Sequence, residues 1–177
     1  MSKVYGDALF AAAKDLAAID QAYEEVTALR DIFAENMDLR KILNSPKISR
    51  KEKAQIIHTI FEHQVSDMLM GFLITVVNKG RQAEFEHIFS YFISIVKEYK
   101  GIGVASVVSA MPLTKSQEEE IEKKLLATTE YHQMEMNYSV DESLIGGMTI
   151  RIKDRVIDSS IKTKLYNIKK NLLNVQI

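Results

Sequence analysis

The side chains that could carry out chemistry are few and widely spaced in this sequence. His58 and Glu62 lie one helical turn apart and could share a metal ion, but two ligands are too few for a metal site. Asp141 and Glu142 could act as a carboxylate pair, yet neighbouring residues on a strand point to opposite faces and cannot converge on one substrate atom. The glycine pair at 146–147 is not followed by the lysine and hydroxyl residue of a phosphate-binding loop. These observations favour a protein that is not an enzyme.

The composition excludes several classes of protein. The chain has 177 residues, enough for about one domain or two small ones. It contains no cysteine, which excludes a disulfide framework, a thiolate metal site and a cysteine nucleophile. Its 23 basic and 24 acidic side chains argue against a general attraction to nucleic acid. The longest apolar stretch, residues 68–77, is about half of a membrane span, and the first residues lack the order of a secretory signal, so we expect a soluble intracellular protein.

The apolar spacing is helical from residue 3 to about residue 100. Ser49 and Glu52 have the spacing of a capping box, and Gly80 and Gly101 stand where helices would end in a left-handed residue. The spacing predicts six helices, whose apolar stripes are Tyr5-Leu9-Ala12-Leu16, Ala22-Val26-Leu29-Phe33, Leu39-Ile42-Leu43, Ile56-Ile57-Ile60-Phe61, the apolar run within residues 66–79, and Phe85-Ile88-Phe89-Phe92-Ile93-Val96.

The period changes to that of strands after Gly103. A helix is predicted between the first two strands and another at the end of the chain, and Lys153-Asp154 is predicted to form a hairpin turn. The fold class is therefore α+β, with a six-helix bundle over residues 1–104 and a small α/β domain, containing a short sheet and a terminal amphipathic helix, over residues 105–177. Alternating apolar residues predict the strands at 104–110, 134–140, 148–152 and 155–157.

The fifth helix is more apolar than an outer helix of a small bundle requires. Between Asp67 and Val77 hydrophobic residues fall on nearly every side, whereas an outer helix shows one stripe. The first helix has a milder surplus, because Ala11, Ala12 and Ala13 broaden its stripe. Two interpretations remain open. Either both helices are buried by their own neighbours, or their second faces form a groove that receives an amphipathic helix from another chain.

The last helix offers a similar choice. Its apolar stripe can pack on the sheet of the same domain, while its lysines project elsewhere. A solvated basic face is the commonest explanation of such lysines, but they would also suit an acidic helix, nucleic acid or anionic lipid. The stripe consists of Ile161, Leu165, Ile168 and Leu172, and the lysines are Lys162, Lys164, Lys169 and Lys170.

Several motifs occur in the order expected of one protein family. They are Asn44-Ser45-Pro46-Lys47-Ile48, Asn78-Lys79-Gly80-Arg81, Ser109-Ala110-Met111-Pro112-Leu113-Thr114 and, most closely, residues 140–151 with the segments 154–158 and 160–162 that follow. Through these motifs the whole chain resembles the delta subunit of F-type ATP synthase and its mitochondrial relative, the oligomycin-sensitivity-conferring protein. The family usually has glycine where Lys153 and Ser159 stand, and a positive φ in the hairpin costs lysine more than glycine.

The resemblance implies a non-catalytic stator subunit without a cofactor. Family members lie on top of the catalytic head as part of the peripheral stalk, which ties the head to the membrane sector and couples rotation to proton-driven ATP synthesis. Their helical amino-terminal domain binds the amino-terminal helix of an alpha subunit, and their carboxyl-terminal domain contacts the b subunits. The protein would then lie at the cytoplasmic face of the bacterial plasma membrane. A free-standing helical adaptor is the alternative.

The resemblance also implies a binding groove. In the family the alpha-subunit helix docks between the first and fifth helices, which are the two helices with surplus apolar surface here. No catalytic, cofactor-binding or metal-ligating residue is expected. The candidate groove residues are Tyr5, Ala8, Leu9, Ala12, Leu69, Phe72, Leu73 and Val76.

Overall fold

The computed structural model describes residues 2–174 and, among these, all side chains except those of residues 167 and 170–174. The chain divides into two compact units, Met1–Lys97 and Glu98–Ile177. The sequence analysis placed the boundary between residues 104 and 105, where the apolar period changes. That position lies inside the first strand, Ile102–Ser109, so the division falls several residues earlier than expected.

The first unit is built from helices. A short 3₁₀ helix at Gln82–Glu84, which the apolar spacing does not reveal, precedes the last of them. Helix α1 packs on α2 and α5, and α4 packs on α5. The helices are α1 (Ser2–Asp15), α2 (Ile19–Glu35), α3 (Met37–Asn44), α4 (Arg50–Phe61), α5 (Asp67–Asn78) and α6 (Phe85–Tyr99).

Local capping determines where α4 and α5 begin and end. The predicted capping box is confirmed, because Glu52 N–H donates to Ser49 Oγ at 3.2 Å and Ser49 N–H donates to the Glu52 carboxylate at 2.8 Å. The hydrogen bond from the Ser49 backbone N–H, with a smaller contribution from its side chain, lowers the pKa of Glu52. Helix α5 begins after Ser66, whose Oγ accepts from Leu69 N–H. It ends before Gly80, whose φ of 69° is the left-handed conformation predicted for that residue.

The core of the first unit centres on phenylalanines from three helices. Phe33 of α2 has its ring centroid 6.1 Å from that of Phe61 on α4 and 5.2 Å from that of Phe85 on α6. Phe89 stacks on Phe85 at 5.5 Å. The predicted stripes of α2 and α6 are buried in full, so periodicity alone identified the core face of both helices. Three residues of the other predicted stripes have exposed side chains, and the first of them follows the end of α1; they are Leu16, Ile42 and Ile60.

The second unit contains a four-stranded sheet with the strand order β2-β1-β3-β4. Strand β1 pairs in parallel with β2, and α7 forms the crossover between them. The β1–β3 and β3–β4 pairs are antiparallel. With eight α-helices and this sheet in residues 2–174, the fold is of the α+β class. The elements are β1 (Ile102–Ser109), α7 (Lys115–Thr128), β2 (Gln133–Val140), a 3₁₀ helix (Glu142–Leu144), β3 (Met148–Ile152), β4 (Arg155–Asp158) and α8 (Ile161–Asn174).

The core of the second unit is small and lies between the sheet and α7. Ala105 and Val107 of β1 are fully buried, and they pack with Met134 of β2 and with Ile121 and Leu125 of α7. This core contains no aromatic residue among its buried members, in contrast to the phenylalanine cluster of the first unit. The smaller core leaves more of the apolar side chains of this unit at its surface.

The predicted hairpin turn joins β3 to β4 at Lys153-Asp154. Lys153 has a φ of 49°, so a lysine adopts the left-handed conformation at the position where the family usually has glycine. Its ammonium group lies 2.6 Å from the Glu98 carboxylate and 5.7 Å from the centre of the Tyr131 ring. The hydrogen bond to Glu98 and a smaller one to Tyr131 raise the pKa of Lys153. The lysine side chain is therefore held by two partners at the position where its backbone is strained.

Candidate functional site

Helix α5 has two apolar faces, of which one belongs to the core. Leu69, Leu73, Val76 and Val77 are buried against the other helices of the unit. The opposite face has Gly71 and Thr75 at its centre, both exposed, and half-buried apolar side chains on either side of them. Between Asp67 and Asn78 the helix carries no charged side chain, so its outer face is uncharged along nearly its whole length. The half-buried residues are Met68, Met70, Phe72 and Ile74.

Gly71 leaves open space at the centre of the outer face. A Cβ atom added at this residue would meet no other atom within 4 Å. Thr75 lies one turn further on, and its hydroxyl donates to the Gly71 carbonyl at 2.8 Å, so its polar group is already bonded. Glycine lowers helix stability relative to alanine, and no contact among the described residues requires one here. The centre of the outer face therefore has no side chain, and half-buried apolar side chains lie on either side of it.

Helix α1 contributes a second apolar surface next to α5. Its core side is formed by Leu9 and Ala13 and by Gly6, which allows close approach of the Tyr91 ring from α6. Val4 is 66% exposed and Ala8 is also exposed, although neither has a polar group. Since α1 packs directly on α5, these residues extend the apolar surface of the first unit across two helices.

The structure divides the eight candidate groove residues into two sets of four. Tyr5, Ala12 and Phe72 are half-buried and Ala8 is exposed, so these four lie at the surface. The other four belong to the core and are at most 1% exposed; they support the surface from beneath and are not available to a partner in the folded unit. They are Leu9, Leu69, Leu73 and Val76.

Sequence reasoning missed Val4 and Gly71 as surface residues. A helix that is apolar on every side gives no indication of which stripe faces its neighbours, so the spacing alone could not separate the two sets. The glycine inside this strongly apolar helix was the available signal, because glycine destabilises a helix interior and a regular helix does not require it. With the core face known, the exposed stripe through Gly71 follows from the helical repeat.

The described part of the apolar stripe of α8 is not buried. Ile161, Leu165 and Ile168 are 43%, 53% and 56% exposed, so of the two possibilities left open, burial of these three side chains on the sheet is not what the structure shows. The helix is attached through other residues: Ser160 is buried, and Thr163 Oγ1 donates to the Asp158 carboxylate at 2.7 Å. The side chains of Leu172 and Lys170, which the sequence analysis included, lie outside the described residues.

Asp158 holds the first turn of α8 in place. Its carboxylate accepts hydrogen bonds from the Ser160 backbone N–H at 2.8 Å and from the Thr163 hydroxyl. These bonds, the backbone one first, lower the pKa of Asp158 from 3.8 to about 2. Ser160 is the N-cap, since its Oγ accepts from Thr163 N–H at 3.3 Å, and the Asp158 carboxylate holds this capping turn through its bonds to Ser160 and Thr163.

The residues that could have bound a metal do not converge. His58 Nδ1 lies 3.8 Å from the Glu62 carboxylate, and both side chains are about half exposed. Among the described residues no group of three His, Cys, Asp or Glu side chains is arranged to hold a metal ion. Nor does any helix in residues 2–174 have the length and apolar character needed to cross a membrane.

These surfaces define a class of protein: a two-unit subunit whose exposed apolar helix faces suit contacts with other chains. Comparisons with known proteins agree. A family model described as the ATP synthase delta (OSCP) subunit matches residues 1–172. An ATP synthase subunit delta from Lachnoclostridium phytofermentans is 48% identical, covering 100% of this chain and 97% of that protein. The protein of the same name from Trichormus variabilis is 31% identical over 98% of this chain and 94% of its own length.

A solved structure has the same fold. A chain in the cryo-EM structure of the Toxoplasma gondii mitochondrial ATP synthase hexamer matches with a TM-score of 0.80, covering 98% of this chain and 97% of that one, at 18% identity. The chain belongs to the ATP synthase delta (OSCP) subunit family. It is therefore a structural component of the peripheral stalk of an F-type ATP synthase and not a catalytic subunit. The resemblance seen in the motifs is confirmed, and the free-standing adaptor is set aside.

Proposed function

We propose that this subunit forms the joint between the catalytic head and the peripheral stalk. The helical unit, Met1–Lys97, holds the amino-terminal helix of an alpha subunit, and the unit with the sheet, Glu98–Ile177, contacts the b subunits. Rotation of the central shaft would otherwise turn the head, so this joint keeps the head fixed relative to the membrane sector. With these partners the subunit lies at the cytoplasmic face of the bacterial plasma membrane.

The observation that carries the proposal is the uncharged outer face of α5 beside α1. Gly71 and Thr75 keep the centre of this face close to the backbone, while Phe72 projects beside them. Val4 and Ala8 of α1 add apolar surface that is open to solvent. An amphipathic helix lying on this face would bury these side chains without burying a charge, which is how such helices bind grooves.

The proposed groove keeps the surface half of the residues implied by the family resemblance and adds neighbours that the structure exposes. The partner helix would lie between α1 and α5, and the buried residues of α5 would support the groove from beneath. The groove residues are Tyr5, Ala8, Ala12 and Phe72, together with Val4, Met68 and Gly71.

Docking of a helix in a groove suits a stator joint because the joint must stay closed during many turnovers. Slow dissociation requires anchors that are withdrawn from water in the complex, and a few apolar side chains usually dominate. Tyr5, Met68 and Phe72 are the largest side chains that the partner would cover here, and Val4 is the most exposed large apolar side chain of α1. Each would contribute on the order of 1 kcal/mol, since burial of apolar surface is worth about 25 cal/mol per Å².

Titration calorimetry with a peptide of the alpha-subunit amino terminus tests the groove. We expect Phe72→Asp to weaken binding by about 2 kcal/mol or more, because it leaves an unpaired charge in a dry interface. An unchanged helical circular dichroism spectrum would show that the variant is folded. Thr59→Asp is the matched control, since Thr59 is exposed on α4 and receives the same charge.

Two results would contradict this site. Unchanged affinity of a folded Phe72→Asp variant would remove Phe72 from the groove. Weaker binding by Thr59→Asp, with Phe72→Asp unaffected, would move the site to the open depression on α4, which has a volume of about 550 Å³ and includes Ile48, Ile56 and Ile60 in its lining.

The assignment of the alpha-subunit helix to the first unit and of the b subunits to the second can be tested by truncation. A chain that ends at residue 101, before β1 begins, should bind the alpha-subunit peptide and fail to retain the b subunits in a pull-down. The full-length chain serves as the control and should retain both. Retention of b by the truncated chain, or loss of the peptide from a folded one, would overturn the assignment of the partners.

A further inference from the structure

We propose that α8 is the docking site for an acidic amphipathic helix. This inference rests on the proposed function, from which the helix would belong to the b subunits. The site is the stripe formed by Ile161, Leu165 and Ile168, here called the α8 stripe. It extends the proposed b contact from a domain to one helix face and to one chemical class of partner.

The α8 stripe is an apolar surface that its own unit leaves uncovered. Its three aliphatic side chains recur at the spacing i, i+4 and i+7, which places them on one side of the helix. The side of α8 that carries Thr163 is bonded to Asp158 and is the least exposed part of the described helix, and by the helical repeat the stripe lies on the opposite side. Aliphatic side chains that are about half exposed on one continuous helix face mark a surface for another chain.

The charges beside the stripe indicate what kind of helix would cover it. From the helical repeat, Lys164 lies on one flank, and Lys162 and Lys169 lie on the other. All three side chains are exposed, and neither Lys164 nor Lys169 forms an ion pair with the side chains that the structure describes. Lys162 has Asp141 as a neighbour, which reduces but does not remove the positive charge of that flank. A partner helix with carboxylates beside its apolar stripe would complement this surface on both sides.

A strained residue extends the apolar surface at the start of α8. Ile145 has a φ of 65° and a ψ of −34°, a conformation that is unusual for a β-branched side chain, and it is 68% exposed. The next residue, Gly146, accepts a hydrogen bond from Ile161 N–H at 2.9 Å. A Cβ on Gly146 would lie 2.6 Å from Ile161 Cδ1, so this backbone adjoins the first residue of the stripe. Backbone strain of this kind persists where the surrounding structure enforces it, often at binding surfaces.

A protein helix fits these features better than a membrane or a nucleic acid. The described part of the stripe, from Ile161 to Ile168, is two helical turns long, about 10 Å, which is enough for the contact between two crossing helices. Nucleic acid would leave the aliphatic side chains exposed, since its binding rests on phosphate contacts. Helices that lie in an anionic membrane surface commonly combine their lysines with Trp or Phe anchors, and the described stripe consists of two isoleucines and one leucine. The favoured partner is therefore an acidic helix.

The full-length chain can be tested with two synthetic helical peptides of identical apolar positions, one with glutamates and one with lysines beside the stripe. Fluorescence anisotropy measures binding, and we expect the acidic peptide to bind and the basic peptide not to bind. The affinity of the acidic peptide should fall at least about tenfold from 0.1 to 1 M salt, because the screening length drops from about 10 Å to about 3 Å. The double substitution Lys162→Glu and Lys169→Glu should reverse the preference, and it replaces only exposed side chains.

Leu165→Ser tests the apolar part of the contact and should weaken the acidic peptide at least about tenfold, with the helical spectrum retained. Failure of the acidic peptide to bind, or an unchanged preference in the double variant, would overturn the proposal. Salt-dependent binding of the chain to vesicles of anionic phospholipid or to a DNA duplex would also overturn the proposal if the acidic peptide does not compete with that binding. If the soluble domain of b binds the wild type and the double variant equally, the α8 site is wrong and the b contact stands. If b binds neither, the proposed b contact itself is wrong.

Discussion

The two units of this subunit have very different cores beneath the surfaces that we propose for their partners. The first unit has a phenylalanine cluster and fully buried stripes on α2 and α6, so its proposed partner surface lies over a well-filled core. The second unit has a small core between one sheet and α7, and its last helix exposes apolar side chains. The surface on α1 and α5 therefore lies over a large core of its own, whereas the surface on α8 consists of apolar side chains that the small core of its unit leaves uncovered.

Removal of a central phenylalanine should have the largest effect. Phe89 is fully buried and contacts Phe33 and Phe85, so Phe89→Ala should lower the free energy of unfolding of the first unit by about 3–5 kcal/mol. Urea unfolding followed by circular dichroism measures this. Phe72→Ala is the control and should cost clearly less, because Phe72 is only half-buried. Equal losses for both variants would mean that the outer face of α5 is part of the core after all.

A glycine in the second unit should give the next largest effect. Gly147 has a φ of 78°, and a Cβ there would lie 2.5 Å from the Ser159 carbonyl oxygen. Gly147→Ala should therefore destabilise this unit by about 1–3 kcal/mol, since backbone and not a flexible side chain must move. Thermal unfolding measures the loss. A neutral result would show that the strands β3 and β4 and the start of α8 tolerate displacement.

Gly71 should respond in the opposite direction. Because a Cβ meets nothing there, Gly71→Ala should raise the free energy of unfolding by about 0.5–1 kcal/mol through the better helix propensity of alanine. Chemical denaturation of the two proteins side by side measures the difference. A loss of stability would mean that the outer face of α5 is packed against the chain, which would weaken the distinction between groove and core.

The attachment of α8 should depend on acid. The pKa of Asp158 is about 2 in the folded chain and 3.8 ordinarily, so its bonds stabilise the fold above about pH 4 and this contribution is lost as the pH falls toward 2. Wild type should be more stable than Asp158→Asn at pH 6, and the difference should shrink between pH 4 and pH 2. Thermal unfolding at a series of pH values measures it. If the stability difference between wild type and Asp158→Asn stays constant with pH, the ionised Asp158 carboxylate does not hold the start of α8.

Much of the fold followed from local sequence signals. The stripe of α2, the capping box at Ser49 and the helix end at Gly80 depend on residues close together in the chain, and all three are confirmed. The turn at Lys153 was also located correctly, although its conformation was left open until the positive φ and the Glu98 contact were seen. Such features need no knowledge of distant contacts.

The candidate site was harder to predict because it depends on orientation. Helix α5 is apolar on every side, so spacing could not show that Leu73 faces the core while Gly71 faces outward. The first turn of α8 is held by the bonds of Asp158 to Ser160 and Thr163, and apolar periodicity carries no information about them or about the exposure of Ile161, Leu165 and Ile168. In both units the surface residues became identifiable only after the neighbours of each helix were known.

The most direct test of the central claim is calorimetric titration of Gly71→Leu with the alpha-subunit amino-terminal peptide. A Cβ at this position meets no atom within 4 Å in the free subunit, so the variant should fold with about wild-type stability. It should nevertheless lose most of its affinity for the peptide, because the leucine side chain would occupy the proposed groove. A folded Gly71→Leu protein that binds the peptide as tightly as wild type would contradict the groove between α1 and α5.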